Sequence, residues 1–259
     1  MQLLIAVPLG FALGFLIGLT GVGGGALVAP ALYVILGLPY GESVALSLIY
    51  SVFTKIVSGA QHIRQGTVLW KITLLYGLAG LPGAMLGSQI VYVAGEATGR
   101  IFPLVMGALL LLISGLLLTE WRAHPGGTEA KRFSPDRITW PGVLLIVAFQ
   151  LPVGVLLGLT SVGSGSLVVL SMFFFFRMST KEIVGSNIVI ALIMVIPAGL
   201  THYLIAGVNW RLLLCLLVGS AVGAVLGSRA TLIVPDRQLK LAIVALIVAG
   251  AVATIAKAW

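Results

Sequence analysis

Gly18-Leu19-Thr20-Gly21-Val22-Gly23-Gly24-Gly25-Ala26-Leu27-Val28-Ala29-Pro30 is a glycine-packed interruption inside an apolar segment, and it occurs twice. Adding 140 to each number gives Gly158-Leu159-Thr160-Ser161-Val162-Gly163-Ser164-Gly165-Ser166-Leu167-Val168-Val169-Leu170, in which eight of the thirteen residues recur unchanged. The same ungapped offset pairs Glu42 with Glu182, Gly59 with Gly199, His62 with His202, Trp70 with Trp210, and Gly83-Ala84-Met85-Leu86-Gly87-Ser88 with Gly223-Ala224-Val225-Leu226-Gly227-Ser228. The chain is therefore an internal duplication. Its repeats are expected at 1–119 and 140–259, joined by a polar linker at 120–139, and together they form one membrane domain.

The membrane assignment comes from composition. With mean hydropathy +1.16 and only 8% charged residues among 259, the chain lacks the polar surface a soluble domain needs. The net charge of +8 would suggest nucleic acid in a soluble protein, but here the basic residues sit mostly between apolar runs, where they orient a chain in a bilayer. No nucleic-acid partner is expected. Cys215 is the only cysteine and lies inside an apolar run, which rules out an internal disulfide or a thiolate metal cluster, and no cofactor is called for. The start, Met1-Gln2-Leu3, has no basic region and its apolar run continues past any plausible cleavage point, so a cleaved signal peptide is not expected.

Residues 3–37 would make a continuous helix about 52 Å long at 1.5 Å per residue, against a hydrocarbon core of about 30 Å. The segment must bend or double back, and the glycines at 21–25 are where the backbone can do so. Residues 142–176 repeat the design. Further spans are expected at about 42–63, 68–93 and 98–119, and at about 181–206, 210–232 and 237–258. All five tryptophans, Trp70, Trp121, Trp140, Trp210 and Trp259, fall at ends of apolar runs, where their rings prefer the interface.

The basic residues decide between a single crossing and a hairpin in each long stretch. Single crossings divide the lysines and arginines eight against six, with no bias. Hairpins place Arg64, Lys71, Arg122, Lys131, Arg132, Arg137, Arg177, Lys181, Arg229, Arg237 and Lys240 on one side and leave Arg100, Arg211 and Lys257 on the other. Eleven against three obeys the positive-inside rule. The expected fold is thus an all-α polytopic membrane protein of two inverted-topology repeats, each a glycine-broken helical hairpin plus three transmembrane helices. Both termini are expected outside and the linker in the cytoplasm. This is the architecture of secondary transporters, which hold substrate at broken helices.

A helix interrupted in a membrane presents unpaired N–H groups and the positive end of its dipole at the start of the following half-helix, a ready anion site. The candidate binding residues are therefore Thr20, Gly21, Val22, Gly23, Gly24 and Gly25 in the first break, with Thr160, Ser161, Gly163, Ser164, Gly165 and Ser166 in the second. Lys55 is the one charge well inside an expected span, and its repeat counterpart is Val195. A lysine there costs about 3 kcal/mol on insertion scales, so it either binds substrate or snorkels to the interface. Ser47 and Asn187 occupy matching positions and donate either to an anion or to a neighbouring helix. His62 and His202, near span ends, are candidate gates. Gly10, Gly14, Gly18 and Gly219, Gly223, Gly227 read as packing faces. Glu42, Glu96, Glu182 and Asp236 start apolar runs, and no carboxylate lies mid-span to act as a proton relay.

The paired glycine motifs, with His62-Ile63-Arg64-Gln65-Gly66 and Trp70 and their echo at His202 and Trp210, resemble the TauE/SafE sulfite exporter family across nearly the whole chain. The resemblance implies movement of small sulfur-containing anions, such as sulfite, sulfonates or thiosulfate, across the bacterial inner membrane. The partners it implies are that anion and the lipid bilayer, and it is compatible with a homo-oligomer. The repeats depart from symmetry at Lys55 with Val195 and at Gln89 with Arg229, so the halves need not contribute equally. The alternatives are an anion channel, a non-transporting scaffold, and an intramembrane serine protease using Ser164 or Ser166 with His202. The protease reading is disfavoured because Gly24 stands where Ser164 stands in the other repeat, and no enzyme activity is expected.

Overall fold

The computed structural model describes residues 2–23, 26–94, 98–123, 138–161, 165–206 and 209–258. The described residues are helical almost throughout. The first half contains α1 (Gln2–Thr20), α2 (Val28–Ile35), α3 (Tyr40–Arg64), α4 (Trp70–Ala94) and α5 (Thr98–Ala123). The second contains α6 (Trp140–Thr160), α7 (Ser166–Phe175), α8 (Thr180–Ala206), α9 (Trp210–Ile233) and α10 (Asp236–Ala258). Among the described residues, six helices are long and apolar enough to cross a membrane, and Gly107–Thr119 and Ser166–Phe175 are shorter apolar helices.

Both long apolar stretches break where their glycines predict, into α1 with α2 and α6 with α7. α5 continues to Ala123, three residues past the start of the polar segment expected as a linker, and residues 124–137 lie outside the described residues. Local chemistry explains several ends. Before α8, the Ser179 backbone N–H and hydroxyl both donate to Glu182 Oε2, at 2.8 and 2.9 Å, and Glu182 N donates back to Ser179 Oγ at 3.3 Å. This reciprocal capping box gives Glu182 its place in the first turn. Asn209 caps α9 by accepting from Leu212 N at 3.2 Å. At α9's other end Lys181 Nζ donates to the Leu232 carbonyl at 2.7 Å, a positive charge against the negative end of the helix dipole. Trp70, Trp140 and Trp210 open α4, α6 and α9 and are all exposed, as interfacial rings should be.

The halves exchange partners. α1 packs along α9 and its counterpart α6 along α4, α3 packs on α9 and α8 on α4, while α3 with α8 and α5 with α10 meet their own counterparts. Glycine makes the first of these contacts. Along α1, Gly10 meets Leu216, Gly14 meets Ser220 and Gly18 meets Ala224, and a Cβ at Gly14 would lie 2.6 Å from the Ser220 carbonyl oxygen. From the other side Gly219, Gly223 and Gly227 press on Val7, Phe11 and Phe15. The two small-residue faces read from the sequence are one interface, closed backbone to backbone.

These contacts also fix running directions. α1 and α9 advance together, as do α4 and α6, where Gly154 meets Gly80 and Gly158 meets Ala84. α3 and α8 run opposite ways, since Gly59 lies against Ile188 and Val189 while Gly199 lies against Leu48 and Val52. α1 and α3 run the same way, because the Tyr50 hydroxyl donates to the Gly10 carbonyl at 2.9 Å and His62 Nε2 donates to the Gly18 carbonyl at 3.0 Å. The chain between α1 and α3 therefore doubles back, and α2 is the returning limb.

Candidate functional site

The two breaks meet. A Cβ at Gly165 would lie 3.0 Å from Gly23 N and from Val22 Cα and 3.1 Å from the Gly21 carbonyl oxygen, so the second break rests directly on the backbone of the first. Gly21 turns the chain with φ +71°, and its counterpart Ser161 does the same with φ +62°. Ser161 is the sole non-glycine residue among those described with positive φ. A left-handed conformation costs a non-glycine residue roughly 1–2 kcal/mol, so the serine at this turn is held there by something else.

That something is on α3. The hydroxyls of Ser161 and Ser47 lie 3.2 Å apart in a buried hydrogen bond. The symmetric contact is made by Asn187 of α8, whose Nδ2 donates to the Gly21 carbonyl at 2.9 Å, while its Oδ1 is buried without a hydrogen-bond partner. Ser47 and Asn187 are repeat counterparts, and so are Ser161 and Gly21. Each break is thus held by the matching residue of the opposite half. Replacing Ser161 with glycine should leave the thermal midpoint unchanged or raise it, since the turn relaxes. If the hydroxyl also touches substrate, the Michaelis constant for anion flux should rise about fivefold, the worth of one hydrogen bond of about 1 kcal/mol. Flux titrations on purified, reconstituted protein check this.

Two other candidates are committed to the scaffold in this structure. The Thr20 hydroxyl donates to the Leu16 carbonyl at 2.7 Å and accepts from Val22 N at 3.2 Å, so it shapes the first break. His62, fully buried, hydrogen-bonds Thr67 Oγ1 through Nδ1 at 2.9 Å as well as donating to Gly18. With Thr231, which donates to the Leu19 carbonyl at 3.0 Å, it satisfies carbonyls at the end of α1 that the break leaves without helical partners. Thr231 was not singled out by sequence, because capping across halves leaves no local signal.

Lys55 is different. It is fully buried and its Nζ has no hydrogen-bond partner among the described residues. It lies one turn before Gly59, on the α3 face that meets α8 near the middle of the helix. Ser47, Ser51 and Lys55, at i, i+4 and i+8, make one buried ladder, and helical side chains lean toward the N-terminus, so the lysine stem leans toward Ser51. Ser51 Oγ is also buried without a partner. Ser51 is a residue the sequence reading passed over, although its spacing midway between Ser47 and Lys55 could have found it. The opposing helix offers nothing similar: at the positions matching Tyr50, Ser51, Thr54, Lys55 and Ser58, α8 carries Ile190, Ala191, Met194, Val195 and Ala198, all fully buried.

Val22 and Ser166 are fully buried at the breaks, Ser166 opening α7. Gly24, Gly25, Gly163 and Ser164 lie outside the described residues, as do the side chains of Thr160 and His202. Among the described residues no three His, Cys, Asp or Glu side chains come together as a metal site would require.

Comparison with known proteins shows the family. The model of the family described as Sulfite exporter TauE/SafE matches residues 6–254. A probable membrane transporter protein of Bacillus subtilis (strain 168), YjnA, is 33% identical over 236 residues, covering 86% of this chain and 87% of its own length. YunE of the same organism, also a probable membrane transporter protein, is 28% identical over 88% of each chain. A probable membrane transporter protein of Xylella fastidiosa (strain Temecula1) is 26% identical over 100% of this chain and 97% of its own. No solved structure matches.

Proposed function

The chain belongs to the TauE/SafE sulfite exporter family of membrane transporters, and we propose that it carries a small sulfur-containing oxyanion, such as sulfite, an organosulfonate or thiosulfate, across the bacterial inner membrane. One observation carries the reading. A lysine at membrane depth is buried without a partner, one turn from an equally unpartnered serine, on the helix that clasps the second break. Such a charge is unfavourable by about 3 kcal/mol, and an anion beside it removes that cost. In this site Lys55 supplies charge, Ser51, Ser47 and Ser161 supply hydroxyls, Asn187 orients the first break, and the first turn of α7 supplies backbone N–H groups at its positive dipole end.

Transport further requires that the site open to either side. We read the halves as inverted repeats with both termini outside and the linker in the cytoplasm. The antiparallel crossing of α3 with α8, the doubling back of the chain between α1 and α3, and the eleven-to-three division of basic residues support this reading. No carboxylate is needed, because a membrane potential drives an anion out of a negative-inside cell with about 2.3 kcal/mol per charge per 100 mV.

The test is sulfite flux in proteoliposomes under imposed potentials of either sign. Flux that reverses with the potential is expected. If sulfite neither binds nor moves while other oxyanions do, the substrate is replaced and the site stands. If no oxyanion binds or moves, the anion-site reading falls.

A further inference from the structure

The interface of α4 with α6 holds a polar pair that the central site does not use. Gln150 of α6 and Tyr76 of α4 are fully buried, and Gln150 Oε1, Gln150 Nε2 and Tyr76 Oη all lack hydrogen-bond partners among the described residues. The two residues are neighbours by packing register. A Cβ at Gly80 would lie 3.4 Å from the Gln150 carbonyl oxygen, Gly154 meets Gly80, and Gly158 meets Ala84. Tyr76, one turn before Gly80, therefore stands at the level of Gln150. The Tyr76 ring meets Phe176 edge-on at 5.9 Å, and Met194 of α8 closes on Gly80 from the other side. The Ser171 hydroxyl, which donates to the Val168 carbonyl at 2.8 Å, stands near the phenol but outside hydrogen-bond geometry with it.

The duplication shows that the fold does not demand polar side chains here. The counterparts of Gln150 and Tyr76 are Gly10 and Leu216, which pack against each other at the matching interface of α1 with α9. There the local polar groups are satisfied: Tyr50 donates to the Gly10 carbonyl at 2.9 Å, and the Thr54 and Ser220 hydroxyls lie 2.7 Å apart. A buried amide and phenol without partners, at a place where glycine and leucine suffice, are unfavourable unless something else completes them.

We propose that Gln150 and Tyr76 form a second, uncharged subsite for the transported oxyanion. The inference rests on the anion-transport reading above. Nε2 and the phenol are donors suited to two oxyanion oxygens, and Oε1 accepts from a protonated oxygen or from a water that travels with the anion. Gln150 lies eleven residues before Ser161, about 16 Å along α6 and on the linker side of the break. Without a positive charge the subsite binds more weakly than the centre, which suits a place the anion passes through, since conduction needs binding that is easily reversed.

Gln150→Leu and Tyr76→Phe remove only the polar atoms and keep the volume. Thermal unfolding would be followed with and without sodium sulfite, and sulfite flux measured in proteoliposomes. In the absence of sulfite both variants should melt at or above the wild-type temperature, while sulfite still stabilises them through the central site. Maximal flux should fall about fivefold in each, the effect of one lost hydrogen bond to the moving ion. Unchanged flux in variants that melt higher would overturn the subsite and leave the central site standing. Loss of folding in both variants would also overturn it, since the polar atoms would then be holding the bundle. If wild type neither binds nor moves sulfite or any other oxyanion, the transport reading fails first and takes this subsite with it.

Discussion

Lys55→Met is expected to cut sulfite flux by at least about a hundredfold and at the same time to make the protein harder to melt in the absence of anion. The two effects have one cause. Methionine keeps most of the unbranched stem in its buried place on α3 and discards the charge, which has no partner among the described residues. Removing an unpaired charge from membrane depth relieves about 3 kcal/mol, which appears as a higher melting temperature. The same removal takes away the group that makes an anion's entry favourable, so sulfite should no longer shift the melting curve. Structural roles predict otherwise. A lysine that merely snorkels would lose neither flux nor anion-dependent stabilisation, and retention of both in the variant would refute the assignment.

Gly165→Leu should abolish flux while the protein still inserts and stays helical. Gly165 has a negative φ, −138°, outside the left-handed region, so the main obstacle is the contact an added side chain makes. Its Cβ would lie 3.0 Å from Gly23 N, and the neighbours it meets are backbone atoms of the opposite break, which cannot rotate away as a side chain can. The breaks must part, and every donor aimed between them moves with them. Displacements of about 1 Å at such a site cost roughly a hundredfold in function. Gly37→Ala is the matched control. There φ is +70° but nothing lies within 4 Å of the added Cβ, so it should cost about 1 kcal/mol of stability and leave flux intact. Flux assays beside circular dichroism separate the two outcomes. Wild-type flux from the Gly165 variant would show that the meeting of the breaks is incidental.

Much of this was legible in the residues. Apolar run lengths placed α3, α4, α8, α9 and α10 to within a few residues, because a span's length is set by the bilayer. The glycine clusters located both breaks, and the spacing of Gly10, Gly14 and Gly18 marked a packing face. What the spacing does not encode is which face it meets: that α1 lies on α9 of the other half is a tertiary fact. For the same reason the spacing does not show that His62, a candidate gate at a span end, is a buried partner of the Gly18 carbonyl. Ser161 concealed its turn, since the glycine that advertises a left-handed residue in the first half has been replaced in the second. Gln150 carried no signal either. A single glutamine in an apolar run means little until its neighbours are known to leave it unpaired.

The exchange of helices between halves also governs how the chain is made. α1 leaves the ribosome long before α9, and Gly10 finds Leu216 only after some two hundred further residues have been added, a count that follows from the contact itself. Until then its glycine face, shaped for another backbone, lacks that backbone. Long-range closure of this kind slows folding and exposes intermediates to misassembly. The first half, released alone, carries that face without the helix it is shaped to meet.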